Sequence, residues 1–326
     1  MKKKILKWTL KILMAVILLI LTVLCAFSIG ERFVFWNFYH NSERYEKIPA
    51  LWQGYVPQGY TLLDKDTRLA CGYMKNGEAS RIYVMSDIDD TKYVDMKKED
   101  GRDYTGHTGG IAVYGDKVYI TAATGCDIFS LKDVLDGDGV ATRVDTLETI
   151  NDPAYCVIRD NMLYTGSFYR AGNYETPESH RLTTPAGDKN TAIISAYKLN
   201  PDTGKPYSTT PDYVYSTTDL VQGMAFTDDG RVILSTSYGF AKSHLYVYEL
   251  DKADVDNDGF EVDGVKIPLI YLDSNCLTDD IVAPPMAEEI IYDGGVVYIM
   301  NESACMKYLF GKLTSGTHVY GYKLDK

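Results

Sequence analysis

Six polar residues have types and positions that could do chemistry together. Gln58, Gln222 and Glu288 open strand-like runs, and Glu289 follows Glu288 directly. His107 stands just before another such run, and Glu302 follows the end of one. Amides, carboxylates and an imidazole converging on one place could hold a cation or a polar ligand. Neighbours on a strand point to opposite faces, so Glu288 is expected inward with Glu289 as its support. One inward carboxylate is thin for calcium, which takes about six to eight oxygens, so water would fill the other places. The bland alternative is a solvated mouth whose polar groups bind water.

A second acidic group is Asp254-Val-Asp256-Asn-Asp258-Gly259. Asp at alternate places followed by Gly matches the opening of an EF-hand loop. The place that needs a bidentate Glu is Val265, so an acidic turn is expected, with calcium as the alternative. Glu288 and this trio are the candidate metal ligands, and Ca2+ is the candidate cofactor. The chain has no Gly-x-Ser-x-Gly elbow, no His-Glu-x-x-His and no phosphate-cradling Gly-rich loop.

The elements that must position these groups come from a repeat. Aligned second strands are Arg68 to Cys71, Lys117 to Thr121, Asn161 to Thr165, Arg231 to Ser235 and Val296 to Met300. First strands open at Gln58, Gly109, Pro153, Gln222 and Glu288, with small residues beside them that suit a crowded axis. Third strands begin near Arg81, Asp127, Ile194, His244 and His318. Fourth strands are weaker: Lys92 to Met96, Thr142 to Leu147, Asp212 to Ser216 and Lys266 to Leu272. The fifth copy has none, and an open sheet edge is an aggregation hazard. Glu46 to Trp52 is expected to close the ring. The expected fold is all-β, a β-propeller of five four-stranded blades; a β-sandwich with accidental self-similarity is the alternative.

An N-terminal helix precedes this ring. Lys2, Lys3, Lys4, Lys7 and Lys11 lead into Ile12 to Ile29, which carries no charge. Phe33, Phe35, Trp36, Phe38 and Tyr39 follow, as in an interfacial aromatic belt. The positive flank is expected to stay in the cytoplasm, making residues 1–40 a signal anchor and juxtamembrane segment. Residues 41–326 would be the propeller, outside a single-pass cell membrane. Secretion after cleavage near Ala26-Phe-Ser28 is the alternative.

The 326 residues carry a net charge of -12, and the leading lysines make the rest more acidic still. Such a surface argues against nucleic acid, whose binding relies on Lys and Arg. Partners are expected to be the membrane through the helix, and an extracellular protein or small ligand. Cys71 and Cys156 fall in strand patterns and should be buried; a Cys276–Cys305 bridge is left open. Two insertions, Arg170 to Asn190 and Ala304 to Gly316, are long enough to carry binding.

Three phrases carry a family likeness: Val56-Pro-Gln-Gly59, Gly106-His-Thr-Gly-Gly-Ile-Ala-Val113, and Asn301-Glu-Ser-Ala304 with Lys307-Tyr308. They resemble a group of uncharacterised secreted or membrane-anchored bacterial β-propeller proteins. The blades are more distantly similar to YncE-like and SMP-30/gluconolactonase-like propellers. The lactonase likeness implies a Glu, Asn and Asp set on calcium, with Glu288 or Glu289 as the Glu; no motif here matches the Asn and Asp. Two function classes follow. One is a membrane-tethered binding or scaffold module outside the cytoplasm. The other is a calcium-dependent hydrolase of a lactone, ester or phosphate ester.

Overall fold

A computed structural model describes residues 2–86, 91–136, 139–314 and 316–324. Tyr and β-branched residues suit pleated, half-buried surfaces, and the described strands fall into repeated four-stranded sets. Unit one is Tyr55–Leu62, Thr67–Met74, Arg81–Ser86 and Lys92–Lys97. Unit two is Ile111–Tyr114, Lys117–Ala122, Gly125–Ser130 and Val140–Glu148. Unit three is Pro153–Arg159, Met162–Ser167, Ala192–Lys198 and Tyr213–Thr217. Unit four is Val221–Phe226, Val232–Thr236, Ser243–Tyr248 and Leu277–Ala283. The last set is Ala287–Asp293, Val296–Asn301 and His318–Lys323, completed by Ser42–Lys47 from the start of the chain. Within each set the neighbours are antiparallel. Asp160 and Asn161, both at positive φ, make the tight hairpin turn of unit three.

Two expectations are corrected. The closing strand is Ser42–Lys47 rather than Glu46 to Trp52. Pro49 has no N–H to give a ladder, and Ile48 and Leu51 instead bury as core side chains. The fourth strand of unit four is Leu277–Ala283. The expected Lys266 to Leu272 lies in Val265–Tyr271, which pairs parallel with Tyr213–Thr217 of unit three and antiparallel with Val255–Val262.

The first strands of neighbouring units pack against one another in a closed cycle, the last upon the first. Apolar faces fill the spaces between units. Between unit four and the last, Leu245, Ile290, Val297 and Tyr320 cluster with Phe35 and Phe38 from the N-terminal segment. The architecture is mostly β and propeller-like, with one apolar helix, Lys2–Val34, ahead of it. A stretch of it, Lys4–Val34, is long enough to cross a membrane and contains an 18-residue window with a mean hydropathy of 3.0; a signal sequence shares those properties. A short helix, Trp36–His40, links it to the closing strand. All six cysteines are free thiols, so Cys276 and Cys305 are not bridged; Cys71 and Cys156 are buried.

Candidate functional site

Crowding dictates what the axis can hold. A Cβ on Gly223 would stand 2.7 Å from Glu289 Cα, and one on Gly110 would stand 2.6 Å from the Cys156 amide nitrogen. First strands therefore meet backbone to backbone, and their amides need an acceptor. Glu289 supplies it. Its Oε2 accepts from Tyr60 N at 3.0 Å and Ile111 N at 3.0 Å, and its Oε1 from Cys156 N at 3.3 Å. One side chain thus bonds the inner strands of three units while sitting on the inner strand of the last. Burial raises its pKa well above the ordinary carboxyl range, and the three N–H donors oppose that rise. This reverses the expected roles: Glu289 sits at the axis, as a structural acceptor.

Glu288 lies on the mouth side, against Glu302. It is buried, and among the described residues no group donates a hydrogen bond to its Oε1. Burial, then the charge of Glu302 and a hydrogen bond to it, raise the Glu288 pKa well above the ordinary range. The raised pKa favours a proton held between Glu288 and Glu302. Burial also raises Glu302, opposed by the Lys307 charge and by hydrogen bonds from Tyr308, Gln58 and Glu288. Gln58 Nε2 donates to Glu302 Oε2 at 3.1 Å and to the Pro57 carbonyl at 2.7 Å.

Lys307 completes this floor. Its Nζ donates to Tyr73 Oη at 2.8 Å and lies 4.9 Å from the centre of the Tyr308 ring. Burial works against the ammonium, yet its bonds to Tyr308 and Tyr73 and the Glu302 charge hold its pKa above the ordinary lysine value. The His107 ring lies 5.0 Å from the Tyr73 ring. Burial, then Lys307, lower the His107 pKa, so its imidazole is neutral at pH 7.

These groups open into a cavity of ≈ 1260 Å³ lined by Gln58, His107, Gln222, Glu302, Lys307 and Tyr308, among others. The structure thus gathers four of the expected residues, Gln58, His107, Gln222 and Glu302, at one cavity. Glu288 and Glu289 are absent from its lining. Tyr73, Lys307 and Tyr308 were not expected as site residues; Lys307-Tyr308 stood in a family-like phrase within a long insertion, which was the available signal.

Calcium does not fit these residues. The Glu289 oxygens accept from three amides, Glu288 is buried against Glu302 and off the cavity lining, and Glu302 feels the Lys307 ammonium. Among the described residues no group of three or more His, Cys, Asp or Glu is arranged to hold a metal ion. The Asp254, Asp256 and Asp258 trio lies away from the cavity, at the exposed edge of unit three. Asp254 Oδ2 accepts from Asn275 Nδ2 at 2.9 Å, and Asp256 Oδ1 accepts from Asp258 N at 3.1 Å. A strand with a register shift between Asp256 and Phe260 replaces the expected turn.

Fold and site together define a mostly β, propeller-like protein with a polar cavity at one end. No family model matches the chain, and no curated protein matches it. Among solved structures it is similar to a PQQ-bound aldose sugar dehydrogenase from Streptomyces coelicolor, with 16% identity over 80% of this chain and 78% of that one, TM-score 0.41. A putative oxidoreductase (glucose dehydrogenase) from Thermus thermophilus matches at 13% identity, 86% and 98% coverage and TM-score 0.43. The extracellular domain of a putative one component system from B. thetaiotaomicron matches at 14%, over 81% of this chain and 32% of that one, TM-score 0.33. Likeness at this level carries no argument about activity.

Proposed function

We propose that the chain is a five-bladed propeller, residues 41–326, tethered outside the cytoplasm by residues 1–40 and binding a small polar ligand in its end cavity. One observation carries the reading. Glu302 lines the cavity with Gln58 and Lys307, and it is backed by the buried Glu288 carboxyl, to whose Oε1 no described group donates a hydrogen bond. Buried polar groups ordinarily find partners, and exceptions mark places where a ligand or reaction supplies them. Groups of both charge signs plus neutral amides suit a ligand rich in hydroxyl or carboxyl groups. The test is a thermal-shift screen of the full chain in detergent against sugars, sugar acids and small carboxylates. Ligands that raise the melting temperature should lose that effect in Glu302→Gln and Lys307→Met. An undiminished shift in both variants would remove the cavity from the reading.

The carboxyl pair also supports a second reading, hydrolysis of a lactone or ester without calcium. Glu302, lining the cavity, would take a proton from the attacking water and return it to the leaving oxygen as the acyl–oxygen bond breaks, with Glu288 hydrogen-bonded to it from behind. Turnover of an ester or lactone panel that vanishes in Glu302→Gln would favour it. Turnover unchanged in that variant would exclude this pair.

A further inference from the structure

The anchor helix leaves the ring from the same end as the cavity mouth. Phe35 and Phe38 are buried between unit four and the last. Beyond them the chain reaches the far end, where Lys323 N donates to the Asn41 carbonyl at 2.9 Å. The closing strand then returns, so that Lys47 stands beside His318 at the cavity end. Traced backward from Phe35, the helix therefore climbs past the cavity end. Phe27, Gly30 and Val34 share an apolar cleft of ≈ 710 Å³ with Phe240, Pro285 and Phe310. Phe27 belongs to the uncharged run, and at about 1.5 Å per residue it stands only about 12 Å above Phe35. The loops beside it are thus level with the C-terminal end of the apolar run.

Those loops also build the cavity mouth. Tyr238 and Gly239 line the cavity, and Phe240 lines the cleft one residue later. Lys307 and Tyr308 line the cavity, and Phe310 lines the cleft, its ring 4.9 Å from that of Phe240. The rim is apolar and exposed: Phe240 is 76% and Trp52 71% exposed, joined by Tyr174, Leu309 and Leu313. The Lys312 ammonium sits 4.2 Å from the Trp52 ring centre. Large aromatics with a basic neighbour are what membrane interfaces select. The opposite end presents hairpin turns that expose Asp116, Asp160, Asp228 and Asp293. The cavity mouth has carboxylates of its own, Glu148, Asp152 and Glu175, so the aromatic rim rather than charge sets the two ends apart.

We propose that the cavity end of the ring is a lipid-contacting surface, its rim bedded in the bilayer face from which the helix emerges. The occupant of the apolar rim is phospholipid, and the cavity opens toward it. This rests on the anchor reading, which the experiment tests separately. The full chain is reconstituted in phosphatidylcholine vesicles, and flotation shows whether it is held by the bilayer. In a background of Trp8→Phe, Trp36→Phe and Trp52→Phe, a sole tryptophan is introduced by Phe240→Trp or, as a far-end control, by Tyr207→Trp. Lipids brominated near the headgroup should quench the first and spare the second. Trp8→Phe with Trp36→Phe leaves the native Trp52 as a second rim reporter if the multiple variant folds poorly; it should be quenched too. A chain that floats while both rim reporters escape quenching overturns the lipid surface and leaves the anchor standing. A chain that fails to float overturns the anchor and the lipid surface with it.

Discussion

Replacing Glu289 tests whether one carboxylate holds the centre of the ring. In Glu289→Ala the amides of Tyr60, Ile111 and Cys156 lose their acceptor. Each buried N–H left without a partner costs about 1–3 kcal/mol, so three sum to about 6 kcal/mol. Removing a buried carboxyl also removes its desolvation cost, which offsets part of that and leaves a loss of about 3–5 kcal/mol. At about 2–4 °C per kcal/mol for a chain of this size, the melting temperature should fall by about 10 °C. Glu289→Gln keeps one accepting oxygen and points an NH2 at a donor, so its loss should be about 1–3 kcal/mol. Circular dichroism melts of the full chain in detergent measure both. Amide exchange adds a local readout: protection at residues 60, 111 and 156 should drop together. Glu289→Ala melting within about 2 °C of the wild type, with those amides still protected, would refute the hub.

Glu288 gives a pH test. Its folded pKa lies well above the ordinary 4.5, so the folded state binds the extra proton. The stability this group contributes is full below about pH 4.5 and is lost as pH rises through the raised folded value. Glu288→Gln, always neutral, should flatten that slope and melt above the wild type at pH 8; identical pH profiles would contradict the assignment. His180, whose pKa burial lowers to about 4, has the opposite sign: its contribution is lost as pH falls below about 6.5, and His180→Gln should blunt acid destabilisation in melts at pH 5. Millimolar calcium should leave the melting temperature of wild type and Glu288→Gln unchanged; a rise confined to the wild type would restore the metal reading. Phe38, 1% exposed in the core, should cost about 3–5 kcal/mol as Phe38→Ala, so a truncation past residue 38 should melt well below one ending before Phe35. Equal melting of the two would show that the segment is not part of the folded ring.

Repeat and turns were legible because each strand set must bury an apolar face on the next, and that demand writes a period into the chain. The inner strands at Gln58, Gln222 and Glu288 were readable for this reason. The two glutamates were not, because simple alternation fails there: the register shifts between Ala287 and Ile290, and both side chains end up buried. Lys307 and Tyr73 lie far apart in sequence and meet only when the insertion folds back over unit one, which no local pattern encodes. The Asp254 trio misled for the converse reason. Its spacing is local and matches the opening of a calcium loop or an acidic turn, but pairing with Val265–Tyr271 pulls the same residues into a strand.

The filled axis bears on where function can reside. A channel open from end to end would let ligands approach from either side. Instead, first strands approach so closely that glycine is required, and Glu289 occupies the gap they leave. The two ends of the ring are therefore separate surfaces. The far end carries acidic hairpin turns, whereas the other carries a cavity, a buried carboxyl pair and an apolar rim level with the helix. A closed axis makes that second end the place where a ligand can meet Glu302 and Lys307. On the proposed anchor reading, the axial carboxyl and the helix would act on the same outcome: one closes the route through the ring, and the other would turn the remaining opening toward the bilayer.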